Sequence, residues 1–198
     1  SASSVGTGVK LVNTQKLYTQ GGLISTDNSL DLAIDGAGFF QVLMPDGRMG
    51  YTRNGTFSRN GEGTLTTSSG YVLQPQIQIP EGVQEINISS DGIVSVLLPG
   101  DAIPQEAGQI ALANFINPRG LQAIGETFIV ETPASGAPIE GLPRSAGFGK
   151  LSQGFLEGSN VNVVQQLVEM IETQRAYEVS SKSISGVDEM MRFLSNNI

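Results

Sequence analysis

Apolar and polar residues alternate in short runs along residues 30–157, with the period of two that half-buried β-strands show. The first run is 30–34, and further candidate strands are 39–44, 71–73, 77–79, 85–88, 93–97, 109–112 and 128–130. Asx-Gly pairs tolerate positive φ and suit tight hairpin turns; they stand at Asp35-Gly36, Asp46-Gly47, Asn54-Gly55, Asn60-Gly61 and Asp91-Gly92. With a Pro-, Gly- and Ser-rich loop over 132–149, the pattern predicts an antiparallel β domain.

The pattern changes at about residue 159, beyond which apolar positions follow the helical spacing of three to four residues. Asn162 and Gln165 are spaced as in a capping box at the start of a helix. Residues 163–195 contain no proline and a single glycine, Gly186. These residues are predicted to form one helix about 50 Å long.

One side of the predicted helix carries a seven-residue repeat. We name this side the assembly seam, and its positions are Val163, Gln166, Met170, Thr173, Tyr177, Ser180, Ile184, Val187, Met191 and Leu194. Every seventh position from Val163 is apolar or aromatic, which is typical of a helix that packs along another helix. A second helix patch consists of Val164, Leu167, Val168 and Ile171.

Two interpretations of the assembly seam are open. The helix packs on a partner helix, or it lies across the β domain. A domain of about 150 residues has a radius of gyration near 15 Å, so a helix of about 50 Å would overhang it and leave part of the seam exposed. The length of the seam therefore favours a partner helix, from another chain or from a segment before residue 1.

The predicted fold class is mainly β, with an antiparallel β-rich domain, an irregular N-terminal arm and one long C-terminal α-helix. Residues 1–29 are polar and rich in Gly, Ser and Thr, which indicates the extended arm. The predicted domains are this arm, a β-rich outer domain over 30–157, and residues 158–198 as the C-terminal helix of an inner coiled-coil domain. Since the chain begins without Met or a capping signal, we expect a native segment before residue 1.

The amino-acid composition excludes most common kinds of catalytic residue. The 198 residues include no His and no Cys, which excludes imidazole bases, thiolate nucleophiles and ordinary zinc sites. No segment completes a phosphate loop or a dinucleotide fingerprint. Asp31 and Asp35 lie on one side of a predicted strand, as a glycosidase pair or a calcium site would, but both also suit solvated positions. We expect no enzymatic activity, no catalytic residue, no cofactor and no metal.

The charge balance narrows the range of partners. Nineteen acidic residues against 11 basic ones give a net charge of −8, which disfavours nucleic acid and anionic membranes as partners. No segment has the roughly 20 apolar residues of a spanning helix. No secretory signal peptide is visible either.

Several motifs together resemble the flagellar rod and hook family, the axial proteins of the bacterial flagellum. The first block is SLDLAIDGAGFFQV at 29–42, followed by GYTRNGTF at 50–57 and GTLTT at 63–67. The second block is GFLEGSNVN at 154–162, with QRAYE at 174–178. Residues 160–184 and the opening of the chain at 6–9 most resemble subunits of the distal rod.

The resemblance implies an inner α-domain of paired terminal helices that lines a helical tube, with a β-rich domain outside it. The family's N-terminal helix has no counterpart in residues 1–29. The implied function is that of a structural subunit that polymerises and transmits torque from motor to hook. Implied partners are other copies of the chain, proximal rod and hook proteins, and the surrounding ring proteins. The implied location is the periplasmic part of the basal body, reached through the flagellar secretion apparatus without a cleaved signal peptide.

Three alternatives stay open beside this interpretation. A proximal rod protein of the same family would share the β block. A binding module would use its C-terminal helix to dock in a partner's groove, which predicts a one-to-one complex rather than a polymer. A polysaccharide-active β protein that uses Asp31 and Asp35 is a third, weaker hypothesis.

Overall fold

Antiparallel strands dominate the computed structural model, which describes residues 20–125 and 127–159. The strands are β1 (Leu23–Ser25), β2 (Leu32–Asp35), β3 (Phe39–Leu43), β4 (Met49–Thr52), β5 (Phe57–Arg59), β6 (Leu65–Thr67), β7 (Val72–Gln74), β8 (Glu85–Ile88), β9 (Ile93–Leu97), β10 (Gln105–Gln109), β11 (Leu112–Asn114), β12 (Gln122–Ile124), β13 (Phe128–Val130), β14 (Ile139–Gly141), β15 (Lys150–Gln153) and β16 (Phe155–Glu157). One 3-10 turn spans Pro118–Gly120.

Strand β3 is the centre of the largest sheet, which has nine strands. One edge of β3 pairs with β4, and the other edge pairs first with β11 and then with β7. Its sequence FFQVL is buried at every position but the last. A strand covered on both faces needs such a nearly continuous apolar run, and this explains its central place.

Two hydrophobic clusters cover the two faces of this sheet. Phe39 and Phe40 are consecutive, so their side chains point to opposite faces, and they belong to different clusters. Phe40 packs edge-on against Phe57, with ring centroids 5.1 Å apart. On the other face, Tyr51 meets Phe115 edge-on at 4.9 Å. Each such buried side chain contributes roughly 1.5–3 kcal/mol to stability.

Three smaller sheets complete the described fold: β8–β9–β10, the pair β2–β15, and the pair β1–β16. Gln153 on β15 connects two of them. Its side-chain nitrogen donates to the carbonyls of Ile86 and Ser29, and its side-chain oxygen accepts from the Ile88 amide. This amide side chain thereby ties β8 to β15 and to the segment before β2.

Three of the five Asx-Gly pairs form hairpin turns as predicted. Asp46-Gly47 joins β3 to β4, Asn60-Gly61 joins β5 to β6, and Asp91-Gly92 joins β8 to β9. The other two pairs, Asp35-Gly36 and Asn54-Gly55, lie between strands that do not pair with each other, because β2 pairs with β15 and β4 pairs with β3 and β13. Those two glycines serve close packing instead, as described below.

The strand predictions are confirmed at 85–88, 93–97 and 128–130 and nearly so at 39–44 and 71–73. The predicted strand 109–112 falls on the break between β10 and β11, and 77–79 forms only an isolated bridge through Gln78. The predicted loop 132–149 contains β14. These errors arise where Gly, Pro and polar residues occupy positions whose pairing depends on distant strands.

The predicted fold class needs one correction. The residues that the structure describes are β-rich and antiparallel, and among them the one helical element is the 3-10 turn. Over the described residues the fold is thus β, without the long α-helix of the prediction. Residues 163–195, on which that helix was placed from capping and periodicity alone, lie outside the described residues.

Candidate functional site

The two ends of the described chain lie side by side. Strand β1 pairs with β16 in the register Leu23↔Glu157 and Ser25↔Phe155. The Gly158 amide donates to the Gly22 carbonyl at 2.7 Å, and the Thr26 amide donates to the Gly154 carbonyl at 2.8 Å. The chain therefore enters and leaves the β fold at one place, which we call the junction.

Arg53, which directly follows β4, is the central side chain of the junction. Its Nε donates to Glu157 Oε2 at 2.7 Å. Its Nη1 donates to the carbonyls of Gly36 and Gly38 at 2.8 and 2.7 Å, and its Nη2 donates to the Ile34 carbonyl at 3.0 Å. The planar guanidinium offers five donors in a fixed fork, so one residue holds both the turn after β2 and the last described strand.

Glu157 extends the same network to the N-terminal end of the described chain. Its second oxygen accepts from the Gly21 amide at 2.9 Å. The ion pair with Arg53 is largely shielded, since the two side chains are 23% and 11% exposed. Shielded charge-assisted hydrogen bonds are stronger than exposed ones. Glu157 therefore links residues 21, 53 and 157 into one unit.

Gln20 adds a further contact from the N-terminal side. Its side-chain oxygen accepts from the Gly36 amide at 2.8 Å, and its side-chain nitrogen donates to Asp35 at 3.1 Å. Asp35 also lies 3.6 Å from the Lys150 ammonium. The turn after β2 is thus held by Gln20 on its N-terminal side in the sequence and by Lys150 on its C-terminal side.

Glycines make this close approach of backbones possible. A Cβ on Gly21 would lie 2.0 Å from the Gly158 carbonyl oxygen, and one on Gly36 would lie 2.7 Å from the Cα of Gly149. Gly36 also has φ of 122°, a conformation that residues with a side chain rarely adopt. Gly21 and the Asp35-Gly36 dipeptide are therefore packing requirements of the junction and of the turn after β2.

The two aspartates considered for catalysis do not form a pair. Asp31 is buried and accepts a hydrogen bond from the Asn28 side chain at 3.2 Å, whereas Asp35 is bound by Gln20 and Lys150. Within residues 20–125 and 127–159, no three His, Cys, Asp or Glu side chains converge in a group that could hold a metal ion. The same residues include no helix of the length and hydropathy that a membrane crossing requires.

The buried hydroxyl of Tyr51 in the β fold has a raised pKa. Burial raises the pKa of Tyr51 to about 12, and the negative charges of Glu131 and Glu140 add to the shift. Tyr51 lies in the hydrophobic cluster with Phe39 and Phe115. A phenol that stays protonated in an apolar cluster serves packing rather than proton transfer at neutral pH.

The predicted assembly seam and the second helix patch lie within residues 160–198, outside the described residues.

The sequence interpretation gave Arg53 and Glu157 no role of their own, although both stand in the motif blocks GYTRNGTF and GFLEGSNVN. The available signal was a pair of opposite charges in separate blocks, Arg53 two positions before Gly55 and Glu157 directly before Gly158. Their pairing over 104 positions is a tertiary feature that local patterns do not reveal.

Comparison with known proteins gives two matching family models. The one described as flagellar hook protein FlgE/F/G D1 domain matches residues 33–96, and the one described as flagellar basal body rod FlgEFG protein C-terminal matches residues 152–197. The second match begins in β15 and includes the β16 side of the junction.

Similar proteins in several bacteria are described as flagellar basal-body rod proteins. The flagellar basal-body rod protein FlgG of Buchnera aphidicola subsp. Acyrthosiphon pisum is 50% identical over 195 residues, which cover 98% of this chain and 75% of that protein. FlgG of Caulobacter vibrioides is 46% identical, with 96% and 73% covered. The flagellar basal-body rod protein FlgF of Escherichia coli is 34% identical, with 86% and 69% covered. The chain therefore belongs to the flagellar rod and hook axial protein family, within which it is most like the distal rod protein FlgG.

Proposed function

We propose that this structural subunit of the flagellar distal rod polymerises with its own copies into a helical tube and transmits torque from the motor to the hook. The observation that carries the proposal is the identity of about half of all residues to FlgG proteins across almost the whole chain. A rod subunit needs contacts and stiffness rather than a reactive group. The protein is accordingly proposed not to be an enzyme.

The junction supports the mechanical part of this proposal. Arg53 binds the last described strand and the turn after β2 with four hydrogen bonds of 2.7–3.0 Å. A force applied to either end of the described chain therefore passes directly into the β fold. Short, shielded, charge-assisted bonds resist such a load better than exposed ion pairs.

The assembly seam is the proposed surface for contacts between subunits. Its apolar positions repeat at 170, 177, 184 and 191, within the segment matched by the rod-protein C-terminal family model. Contacts of one surface with a different surface on the next copy do not close and generate open helical filaments. Further proposed partners are the proximal rod and hook proteins and the rings around the rod.

The proposed location within the basal body is the periplasmic space, with export through the flagellar secretion apparatus. The similarity to flagellar basal-body rod proteins supports this location. The acidic β domain, as the outer part of the rod, would face the rings in which the rod turns.

The test places the chain in cells that lack their own rod protein of this type. A Tyr177→Asp variant introduces a charge into the seam and is expected to abolish swimming and rod completion, because an unpaired buried charge is costly. Ser181→Asp adds the same charge outside the seam and is expected to swim. Swimming in soft agar and electron cryo-microscopy of isolated basal bodies give the readouts.

Basal bodies with complete rods in cells that lack the protein would contradict the proposed function. If purified chain instead forms a defined one-to-one complex with another protein and never polymerises, the binding-module alternative replaces it. Equal swimming of both variants would remove the seam from the proposal.

A further inference from the structure

One end of the β8–β9–β10 sheet exposes an isoleucine among carboxylates. Ile103 is 77% exposed and lies between β9 and β10, in a stretch where every residue from position 99 to position 106 is exposed. The same end of the sheet carries exposed carboxylates, and we call this surface the acidic end: Ile103 with Glu81, Glu85, Asp101 and Glu106. Arg59 also reaches it, through a hydrogen bond to the Pro80 carbonyl, so the acidic end keeps an excess of negative charge.

A second exposed apolar surface lies at the β11–β14 edge of the nine-stranded sheet. Ile139 pairs with Asn114, the last residue of β11, and Ile116 follows Asn114 by two positions, so the two isoleucines lie near the same end of this edge. Ile116 is 84% exposed and Ile139 is 49% exposed. With Arg119, which follows Ile116 by three positions in the 3-10 turn, they form what we call the isoleucine face.

The isoleucine face carries a cation that is available to a partner. Arg119 is exposed, and within the described residues it has no ion pair or hydrogen bond through its side chain. The neighbouring acidic residue, Glu140, lies on the opposite side of β14 from Ile139 by strand alternation. Its electrostatic effect on the buried Tyr51 agrees with that orientation.

We infer that the acidic end of one copy of this chain docks on the isoleucine face of the next copy. Both surfaces expose apolar side chains, and their charges are opposite, so contact would bury isoleucines and give Arg119 a carboxylate partner. The two surfaces lie on different sheets and differ from each other, which makes the contact heterologous and able to repeat without closing. The inference rests on the proposed function, since it names the β-domain contact of that polymer.

Cysteine cross-linking tests the contact because these 198 residues contain no cysteine. The full native chain carrying Ile103→Cys together with Ile116→Cys is produced in cells, and isolated basal bodies are treated with a short bis-maleimide reagent. A ladder of covalent multiples beyond the dimer is expected. Each single variant is expected to stay monomeric, because its one cysteine would meet only a native residue across the contact. The pair Ile103→Cys with Ile139→Cys serves as a second placement.

The outcomes separate this inference from the proposed function. If immunoblots find the chain in the rod but neither pair gives a ladder, the docking inference is wrong and the proposed function stands. A ladder that consists of the chain joined to some other protein also overturns it. Absence of the chain from isolated rods would remove the proposed function itself. Swimming of the untreated double variants confirms that they fold and assemble.

A charge reversal supplies an independent readout. Arg119→Glu in the cysteine background is expected to lower the cross-linked fraction roughly threefold to tenfold, since rim charges steer association. Arg48→Glu changes an exposed arginine on the β3–β4 turn, outside both surfaces, and is expected to leave the fraction unchanged. Equal ladders from both variants would remove Arg119 from the contact.

Discussion

Single residues with no chemistry of their own determine much of this fold. Gly55 is an example, because a Cβ there would lie 1.6 Å from the Leu32 carbonyl oxygen. The backbone at the same place is fixed by a hydrogen bond from the Leu32 amide to the Gly55 carbonyl, at 2.9 Å. The Asn-Gly pair that reads as a turn in the sequence is therefore a close crossing of two segments.

Two chemically identical Asn-Gly pairs give a matched prediction. Gly55→Ala should lower the free energy of unfolding by about 2–3 kcal/mol, because the crossing backbones must separate. Gly61→Ala meets nothing within 4 Å and should stay within about 0.5 kcal/mol of the native protein. Urea unfolding followed by circular dichroism measures both, and equal midpoints would show that the crossing relaxes freely.

Tyr51 predicts a specific loss of stability in alkali. Its pKa is about 12 in the folded chain against 10 in the unfolded one, so the folded state binds the proton more tightly. The stability that this group contributes is fully present below pH 10 and is lost as the pH rises to about 12. Tyr51→Phe should therefore lose stability less steeply over that window, as measured by urea midpoints.

The control for this experiment is Tyr71→Phe, a half-buried tyrosine that packs on Phe128 at 4.8 Å. This variant removes the same hydroxyl from a different aromatic pair, and its slope is compared with that of Tyr51→Phe. Parallel slopes for Tyr51→Phe and the native protein would mean that the hydroxyl of Tyr51 is ionised as readily in the folded chain as in the unfolded chain.

Among the elements, the β1–β16 pair depends on the junction more than on its own length. Each of the two strands has three residues, and an isolated two-stranded ribbon of this size is marginal in water. The ion pair of Arg53 with Glu157 supplies the missing contacts across 104 positions. The element is thus stabilised from outside, by a side chain that follows β4.

Removal of Arg53 should therefore cost more than a surface ion pair does. Arg53→Ala should lower the free energy of unfolding by about 2–4 kcal/mol, because Glu157 and three carbonyls lose their donor. Arg53→Lys should recover only part of this loss, since an ammonium lacks the planar fork. Urea unfolding of the purified chain is the measurement.

Arg48→Ala is the matched control for Arg53→Ala. Arg48 pairs with Asp46 at 2.7 Å, but the two side chains are 60% and 48% exposed, so the loss should be roughly 0–1 kcal/mol. If both variants lose equal stability, the junction is no stronger than a surface contact and the mechanical proposal loses its support.

Elements with a local signal were predictable, and elements with a distant partner were not. Strand β9 follows an alternating apolar run beside an Asp-Gly turn, so period and turn chemistry agree. Strand β16 pairs with β1 across the length of the β fold, and nothing in the sequence FLE marks that pairing. Arg53 was missed for the same reason, because its four acceptors come from two other segments.

At the scale of the whole molecule, charge is distributed unevenly along the sequence. Acidic and basic residues are equal in number, five of each, in the combined segments 1–19 and 160–198, so the net charge of −8 belongs to residues 20–159. Solvated acidic domains repel each other at long range, whereas segments without net charge lose less by desolvation. Residues 160–198 alone have a net charge of only −2, which fits the proposal that the assembly seam within them makes contacts between subunits.

The pairing of β1 with β16 also sets an order of folding. Ser25 and Phe155 are partners although 130 positions separate them, and such long-range contacts form late because the intervening chain must first be ordered. Hairpins such as β8–β9 need only neighbouring residues and can form early. A chain delivered to its site from one end would thus complete its junction only once Glu157 has arrived, and no earlier stretch of it would present both ends together.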